Sequence, residues 1–220
     1  MVVFILEKAG KAAAVEARTA ATVRSWARDA IWFTGSKVIV QGAENVPVST
    51  AVLYVANHQS YMDIPVLLGF VPGAKGFIAK VELAKIPLVS RWMVRMHSLF
   101  LDRQNLRKSL LTMREAVEVL KSGYSLVIFP EGTRSKSDQM GEFKRGSLSI
   151  AEKANVPVLP VAIMGSYKIL EGNKGFRVRP AHVRVVIDKP LYPSELAAGQ
   201  DLASTVYKII ASHVQSGMNR

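Results

Sequence analysis

Short apolar runs alternate with helical patterns from Lys37 onward, and no other feature restricts the fold as much. Lys37–Gln41, Ala51–Ala56, Phe77–Ala79, Ser98–Leu101, Ser125–Phe129, Val158–Ile163 and His182–Ile187 read as strands. Residues 60–70, Ile86–Met96, Asn105–Lys121, Arg145–Ala154 and Asp201–Ser216 read as helices. Asn105–Lys121 is the clearest, because Leu106, Leu110, Met113, Val117 and Leu120 share one face. Gly172–Gly175 and Pro190–Gly199 read as loops. The alternation predicts an α/β fold, a single domain with a mostly parallel central sheet flanked by helices. A chain of 220 residues, 49% of them hydrophobic, can bury one full core.

Residues 4–34 differ from the rest. They are rich in alanine, and Val15, Val23, Trp26, Ala30 and Phe33 approximate one helical stripe. Lys8, Lys11, Arg18, Arg24 and Arg28 add positive charge, and Trp26, Trp32 and Phe33 suit a lipid interface. The segment is expected to be amphipathic, with one face free to meet a membrane and another to pack on the protein. The opening Met1–Leu6 has no basic leader and is closed by Glu7 and Lys8, so neither a signal peptide nor a spanning helix is expected.

The formal net charge is +12, which attracts anionic partners such as lipid head groups, acidic carrier proteins, phosphorylated metabolites or nucleic acid; a merely solvated basic surface is the plainer alternative. The chain has no cysteine. Disulfides, cysteine-ligated zinc and a thiol nucleophile are therefore excluded, and any sulfur chemistry belongs to a substrate.

Two polar runs carry chemistry. Asn57-His58-Gln59-Ser60-Tyr61-Met62-Asp63 follows the strand ending at Ala56. His58 and Asp63 would diverge by about 140° on a regular helix, so they can meet only if His58 lies in the turn before it. Pro65 favours a helix starting near Asp63. A carboxylate on Nδ1 would fix the tautomer and leave Nε2 as a base. Alternatively Asp63 is a helix cap and His58 a strand-end histidine. The second run, Phe129-Pro130-Glu131-Gly132-Thr133-Arg134-Ser135, lies at another strand's carboxyl end, where α/β sheets bind ligands. Arg134 could fork onto a phosphate, Gly132 lets backbone approach, Thr133 offers a hydroxyl, and Glu131 could hold a substrate hydroxyl or fix Arg134. Arg103, Lys80, Lys144 and Arg145 follow strands or the second run and could join that anion pocket. Otherwise the run is a turn bearing a surface arginine.

These residues resemble the glycerolipid acyltransferases. Asn57–Asp63 is similar to their NHxxxxD motif, and Phe129–Ser135 matches their FPEGTRS motif in every position. Phe100–Arg103, Val156–Val161, Lys80–Pro87 and Phe143–Gly146 resemble further blocks, all in the family's order over residues 55–161. Ser90 departs from the glycine common in relatives, and Gly10 is the only obvious break between paired N-terminal helices. The best likeness is to bacterial 1-acyl-glycerol-3-phosphate acyltransferases. It implies acyl transfer from an acyl-carrier-protein or coenzyme A thioester to the sn-2 hydroxyl of lysophosphatidate, giving phosphatidate. It also implies His58 as base oriented by Asp63, and a glycerol phosphate held by Arg134 and Arg103 with Gly132, Thr133 and Glu131, and by Lys80 and Lys144 less directly. No metal or other cofactor and no nucleic acid is expected. Residues 1–36 would attach the protein peripherally to the cytoplasmic face of the cell membrane, and residues 37–220 would form the catalytic domain.

Other readings remain open at this level. A different lysolipid or glycerol 3-phosphate could be the acceptor. A serine hydrolase should carry a Gly-x-Ser-x-Gly elbow, which is missing. A binder of nucleic acid or membrane without catalysis would explain the charge but not the two motifs. A tunnel for the acyl chain is expected from residues 64–71 and 86–96.

Overall fold

The computed structural model describes residues 12–196 and 200–218. Lys8, Gly10, Lys11 and the Met1–Leu6 run therefore lie outside the described residues, as does part of the loop expected at Pro190–Gly199. A helix, α1 (Ala12–Phe33), precedes β1 (Lys37–Gln41), β2 (Leu53–Ala56) and α2 (Asp63–Phe70). β3 (Lys75–Lys80), α3 (Pro87–Arg95), β4 (Leu99–Leu101), α4 (Leu106–Lys121) and β5 (Ser125–Ile128) follow. The chain continues with α5 (Ser149–Ala154), β6 (Val158–Met164), β7 (His182–Ile187) and α6 (Leu202–Met218).

The seven strands form one sheet in the order β1-β7-β6-β2-β5-β3-β4. Strands β2 to β6 run parallel, with Leu53 level with both Leu126 of β5 and Val158 of β6. β7 is antiparallel to β6 and carries β1 parallel to itself at the edge. The carboxyl ends of β2, β3, β4 and β5 thus share one rim, and β2, at the centre, delivers its following turn to the middle of it. β2 and β6 are buried along their whole length, as expected of strands covered on both faces.

Two apolar layers sandwich the sheet. Val23, Ala27 and Ile31 of α1 and Val66 and Leu67 of α2 pack on Val52, Tyr54, Val127 and Leu159. On the other face, Val117 and Leu120 of α4, Ile150 of α5 and Val206 and Ile210 of α6 pack on Leu53, Val55, Leu126 and Ile128. Each fully buried aliphatic side chain contributes roughly 1.5–3 kcal/mol. Gly69 lets α1 lie close on α2, since a Cβ there would come within 3.1 Å of the Arg28 amide nitrogen. Arg28 Nε donates 2.9 Å to the Gly69 carbonyl across the same crossing.

Local chemistry sets the element ends. Asn105 caps α4 by accepting from the Lys108 amide at 3.0 Å. α1 stops before Gly35, which takes the left-handed conformation (φ +71°) after Gly35 N bonds to the Trp32 carbonyl. α5 begins at Ser149 and not at Arg145, because Gly146 (φ +73°) turns the chain first. The face α1 buries is Thr19, Val23, Ala27 and Ile31. Trp26, Phe33 and Trp32 stay exposed, so the stripe read from Val15 to Phe33 mixes a buried edge with an exposed one. Among the described residues no helix is long and apolar enough to cross a membrane.

Candidate active site

His58 lies in the turn between β2 and α2, and Asp63 opens α2. The pair closes at 2.7 Å between His58 Nδ1 and Asp63 Oδ2. An ionised carboxylate can only accept, so Nδ1 is the donor, and in the neutral ring Nε2 is the nitrogen with the free lone pair. The Asp63 side chain is fully buried, and its oxygens are satisfied by further donors. Oδ2 also accepts from the Gln59 and Ser60 amides at 2.7 and 2.8 Å, and Oδ1 from the Ser166 hydroxyl. Asp63 thus does not cap its own helix but turns back to hold the preceding loop. Asn57 anchors the start of that loop: its side-chain amide exchanges two hydrogen bonds with the Ile163 backbone, at 2.8 and 2.7 Å, extending the β2–β6 ladder.

The second run meets the first through the backbone. Ser135 N bonds to the His58 carbonyl at 2.8 Å and Lys136 N to the Gln59 carbonyl at 3.2 Å. The imidazole stacks on the Phe129 ring, with centroids 3.9 Å apart and planes 15° from parallel. Glu131 is buried and corrects an expectation: Oε1 accepts from the His58 amide and Oε2 from the Gly141 amide, each at 2.7 Å. These two hydrogen bonds go to the backbone and not to Arg134. Burial pushes its carboxyl up, against the pull of those two amides.

Arg134 has a carboxylate partner within the fold. Its Nη1 donates 2.8 Å to Glu171 Oε1, and its guanidinium lies 3.5 Å from the centre of the Tyr61 ring. Glu171, in the loop after β6, also accepts from the Ser60 hydroxyl and, at 2.8 Å, from the Tyr61 amide. Burial pushes the Glu171 carboxyl up, but the hydrogen bonds from Ser60, Tyr61 and Arg134 outweigh it and leave it below the usual range. No local pattern marked Glu171 or Ser166, and Asn57 entered only as the first position of the NHxxxxD motif. Their partners lie 37 to 111 residues away in sequence.

Arg103 and Lys144 do converge. The Arg103 guanidinium donates to the Gly132 carbonyl. A Cβ on Gly132 would lie 2.8 Å from Lys144 Cε and 3.0 Å from Arg103 Nη1, and its φ of +73° suits glycine alone. Burial pulls the Arg103 guanidinium down, with Glu82 opposing. Both cations line a cleft of about 690 Å³ whose apolar wall includes Ile78, Leu101, Met113, Val117 and Phe129. Arg145, Arg114 and Lys153 extend its positive rim. Arg134 is not among the residues of this cleft, and neither are Thr133, exposed within the second run, and Lys80, exposed at the end of β3. Nor do residues 64–71 and 86–96 line it. The first segment is packed beneath α1, and Ile86, Leu88 and Val94 of the second face outward.

The rim of the parallel sheet carries the His58–Asp63 pair, its carboxylate buried and its imidazole partly exposed, beside an apolar, cation-edged cleft, and comparison with known proteins gives the chain a family. The chain belongs to the Acyltransferase family, whose sequence profile matches residues 37–164. It is 41% identical over 161 residues to the chloroplastic 1-acyl-sn-glycerol-3-phosphate acyltransferase of Brassica napus, covering 72% of this chain and 46% of that one. It is 34% identical over 193 residues to a probable 1-acyl-sn-glycerol-3-phosphate acyltransferase of Mycoplasma pneumoniae, covering 82% and 72%. The chain spans about half the length of the plant relatives it matches. Its fold is similar to the crystal structure of PlsC, the 1-acyl-sn-glycerophosphate (LPA) acyltransferase of Thermotoga maritima, with TM-score 0.84 and 36% identity over 94% of this chain and 82% of that one.

Proposed function

We propose that the chain transfers a fatty acyl group from a thioester to the free sn-2 hydroxyl of 1-acyl-glycerol-3-phosphate, forming phosphatidate. The observation that carries this reading is His58, held by Asp63 at 2.7 Å and stacked on a wall residue of the cleft. Nε2 takes the hydroxyl proton as the oxygen attacks the thioester carbonyl. The C–O bond forms, the tetrahedral oxyanion collapses, the C–S bond breaks, and the imidazolium returns the proton to the leaving thiolate. Buried Asp63 stabilises the imidazolium while it lasts. General-base assistance of this kind is worth about 10²–10⁴-fold in rate.

Arg103 and Lys144 take the phosphate, with Gly132 giving room and Thr133 and Lys80 at the margin. Arg134, neutralised in part by Glu171, braces the loop and lends positive potential. The acyl chains lie along Leu101, Met113 and Val117. The thioester is a co-substrate, carried by acyl carrier protein or coenzyme A, and no cofactor is drawn on. The exposed Trp26, Trp32 and Phe33 of α1 and the basic surface support peripheral attachment to an anionic membrane.

The test is purified protein with lysophosphatidate and a labelled acyl thioester, run beside His58→Ala. Phosphatidate from the wild type alone supports the reading. Transfer to another lysolipid or to glycerol 3-phosphate instead changes the acceptor, and equal product from the variant removes His58 as base.

A further inference from the structure

The chain leaves β6 through a tight turn that brings one more hydroxyl behind the His58–Asp63 pair. Gly165 takes the left-handed conformation (φ +83°), and a Cβ there would come within 2.6 Å of the His182 carbonyl oxygen. A single 3-10 turn, Ser166–Ile169, follows. It starts just past Ile163, the residue that Asn57 clasps, so Ser166 lies against the loop that carries His58.

Ser166 is fully buried, and its hydroxyl donates to Asp63 Oδ1. Gln59 Oε1 lies 3.4 Å from the same hydroxyl. One O–H serves one acceptor well, and the nearer, charged oxygen takes it. The other donors to Asp63, namely His58 Nδ1 and the Gln59 and Ser60 amides, all reach Oδ2. Ser166 therefore acts on the oxygen that the loop leaves alone. With Oδ1 pinned from behind, the carboxylate is kept from rotating, and Oδ2 stays on Nδ1. The hydroxyl also draws negative charge towards Oδ1, in a buried site where such polarisation is strongly felt. Less charge on Oδ2 supports the imidazolium less, so Nε2 stays free as a base to lower pH than it would without Ser166.

We propose that Ser166 is a positioning residue for the acyl transfer, a donor behind Asp63 that sets the pH above which His58 works as base. This role rests on His58 being the base of the proposed transfer. Besides Asp63 of α2, the charged groups on the elements around His58 are Glu131 and Arg134 after β5, Glu171 after β6, and Arg103 and Lys144 at Gly132. Lys136 and Asp138 follow in the second run's loop, where Asp138 accepts from the Tyr167 hydroxyl at 2.8 Å. None of these is hydrogen-bonded to the Ser166 side chain, so removing its hydroxyl leaves their charges in place.

The test is a pH titration of the full chain labelled at histidine, followed by NMR, beside the pH profile of kcat/KM for lysophosphatidate. His58→Ala identifies the His58 ring among the four histidines. Ser166→Ala should raise the His58 midpoint by about half a pH unit, or about threefold in the ratio of charged to neutral ring at fixed pH. The acid limb of the kcat/KM profile should move up with it. Ser166→Cys keeps a weaker donor in nearly the same volume and should fall between, and it carries the test if the alanine variant does not fold. A His58 midpoint that stays put or falls overturns the proposal. So does a rate lowered equally at every pH together with a lower thermal midpoint, the mark of a purely structural hydroxyl. The ring is read without turnover, so the two failures are told apart: no transfer by the wild type removes the acyl-transfer reading, and an unmoved midpoint removes the role of Ser166.

Discussion

Arg134 and Glu171 meet at 2.8 Å over the face of Tyr61, and this pair ties the loop after β6 to both polar motifs at once. The Glu171 side chain is fully buried and that of Arg134 is 22% exposed, so the pair is shielded well enough for its loss to matter. Glu171→Ala should strand the guanidinium and free the Ser60 hydroxyl and Tyr61 amide, lowering unfolding free energy by about 2–4 kcal/mol in urea titrations. Glu171→Gln keeps the shape and should cost less. Arg134→Lys should raise the KM for lysophosphatidate, because an ammonium can neither lie flat on Tyr61 nor keep the loop in place.

His58→Ala should lower turnover by about 10²–10⁴-fold with little change in thermal midpoint. Asp63→Asn should fall in the same range while also losing stability. An amide there presents a donor to one of the groups now donating, namely His58, Gln59, Ser60 and Ser166. Steady-state rates beside melting curves separate the two outcomes.

Arg103→Gln and Lys144→Ala should raise the acceptor KM about tenfold or more each, leaving the KM for the thioester nearly unchanged. Gly132→Ala should be worse than either, since its Cβ meets both cations and its φ is positive. Titrating each substrate in turn distinguishes a phosphate site from a general loss of fold.

Lys75 predicts a pH dependence of stability. Its pKa falls from 10.5 to about 7 on folding, so between those values the unfolded chain binds more protons than the native one. Stability should therefore rise with pH across that window, by at most about 1.4 kcal/mol per pH unit from this group, and the penalty should be fully present below pH 7. Lys75→Met should flatten that rise in urea titrations at pH 6.5 and 9.

Replacing Trp26, Trp32 and Phe33 by serine should weaken sedimentation with anionic vesicles by more than tenfold without unfolding the protein, because all three are exposed. The remaining attraction should be largely removed by salt, as expected of the basic surface.

Much of this was legible in the sequence. Hydrophobic periodicity placed the strands and helices to within a few residues, because burying one face of an element is decided by side chains two to four positions apart. The position of His58 in a turn followed from its five-residue spacing to Asp63 and from Pro65, which are local constraints on one loop. The stripe read along α1 joins Val23, which is buried, with Trp26 and Phe33, which are exposed, and only the packing of α1 on α2 separates the two faces.

What the tertiary structure decided are pairings between distant segments. Glu131 and Arg134 flank Gly132 and Thr133 and read as a substrate clamp, yet the fold turns the carboxylate onto the backbone of His58 and Gly141 and gives the guanidinium to Glu171. Likewise Arg103 and Lys144, 41 positions apart, become the cations at Gly132 because the strand order brings the end of β4 to the rim that β5 shares, while the Lys144 amide bonds back to the Pro130 carbonyl at 3.0 Å. A sequence displays which charges exist and which helical or extended pattern carries them. Which opposite charge or amide each one reaches depends on how the strands are ordered across the sheet, and that order is fixed by the packing of the whole core.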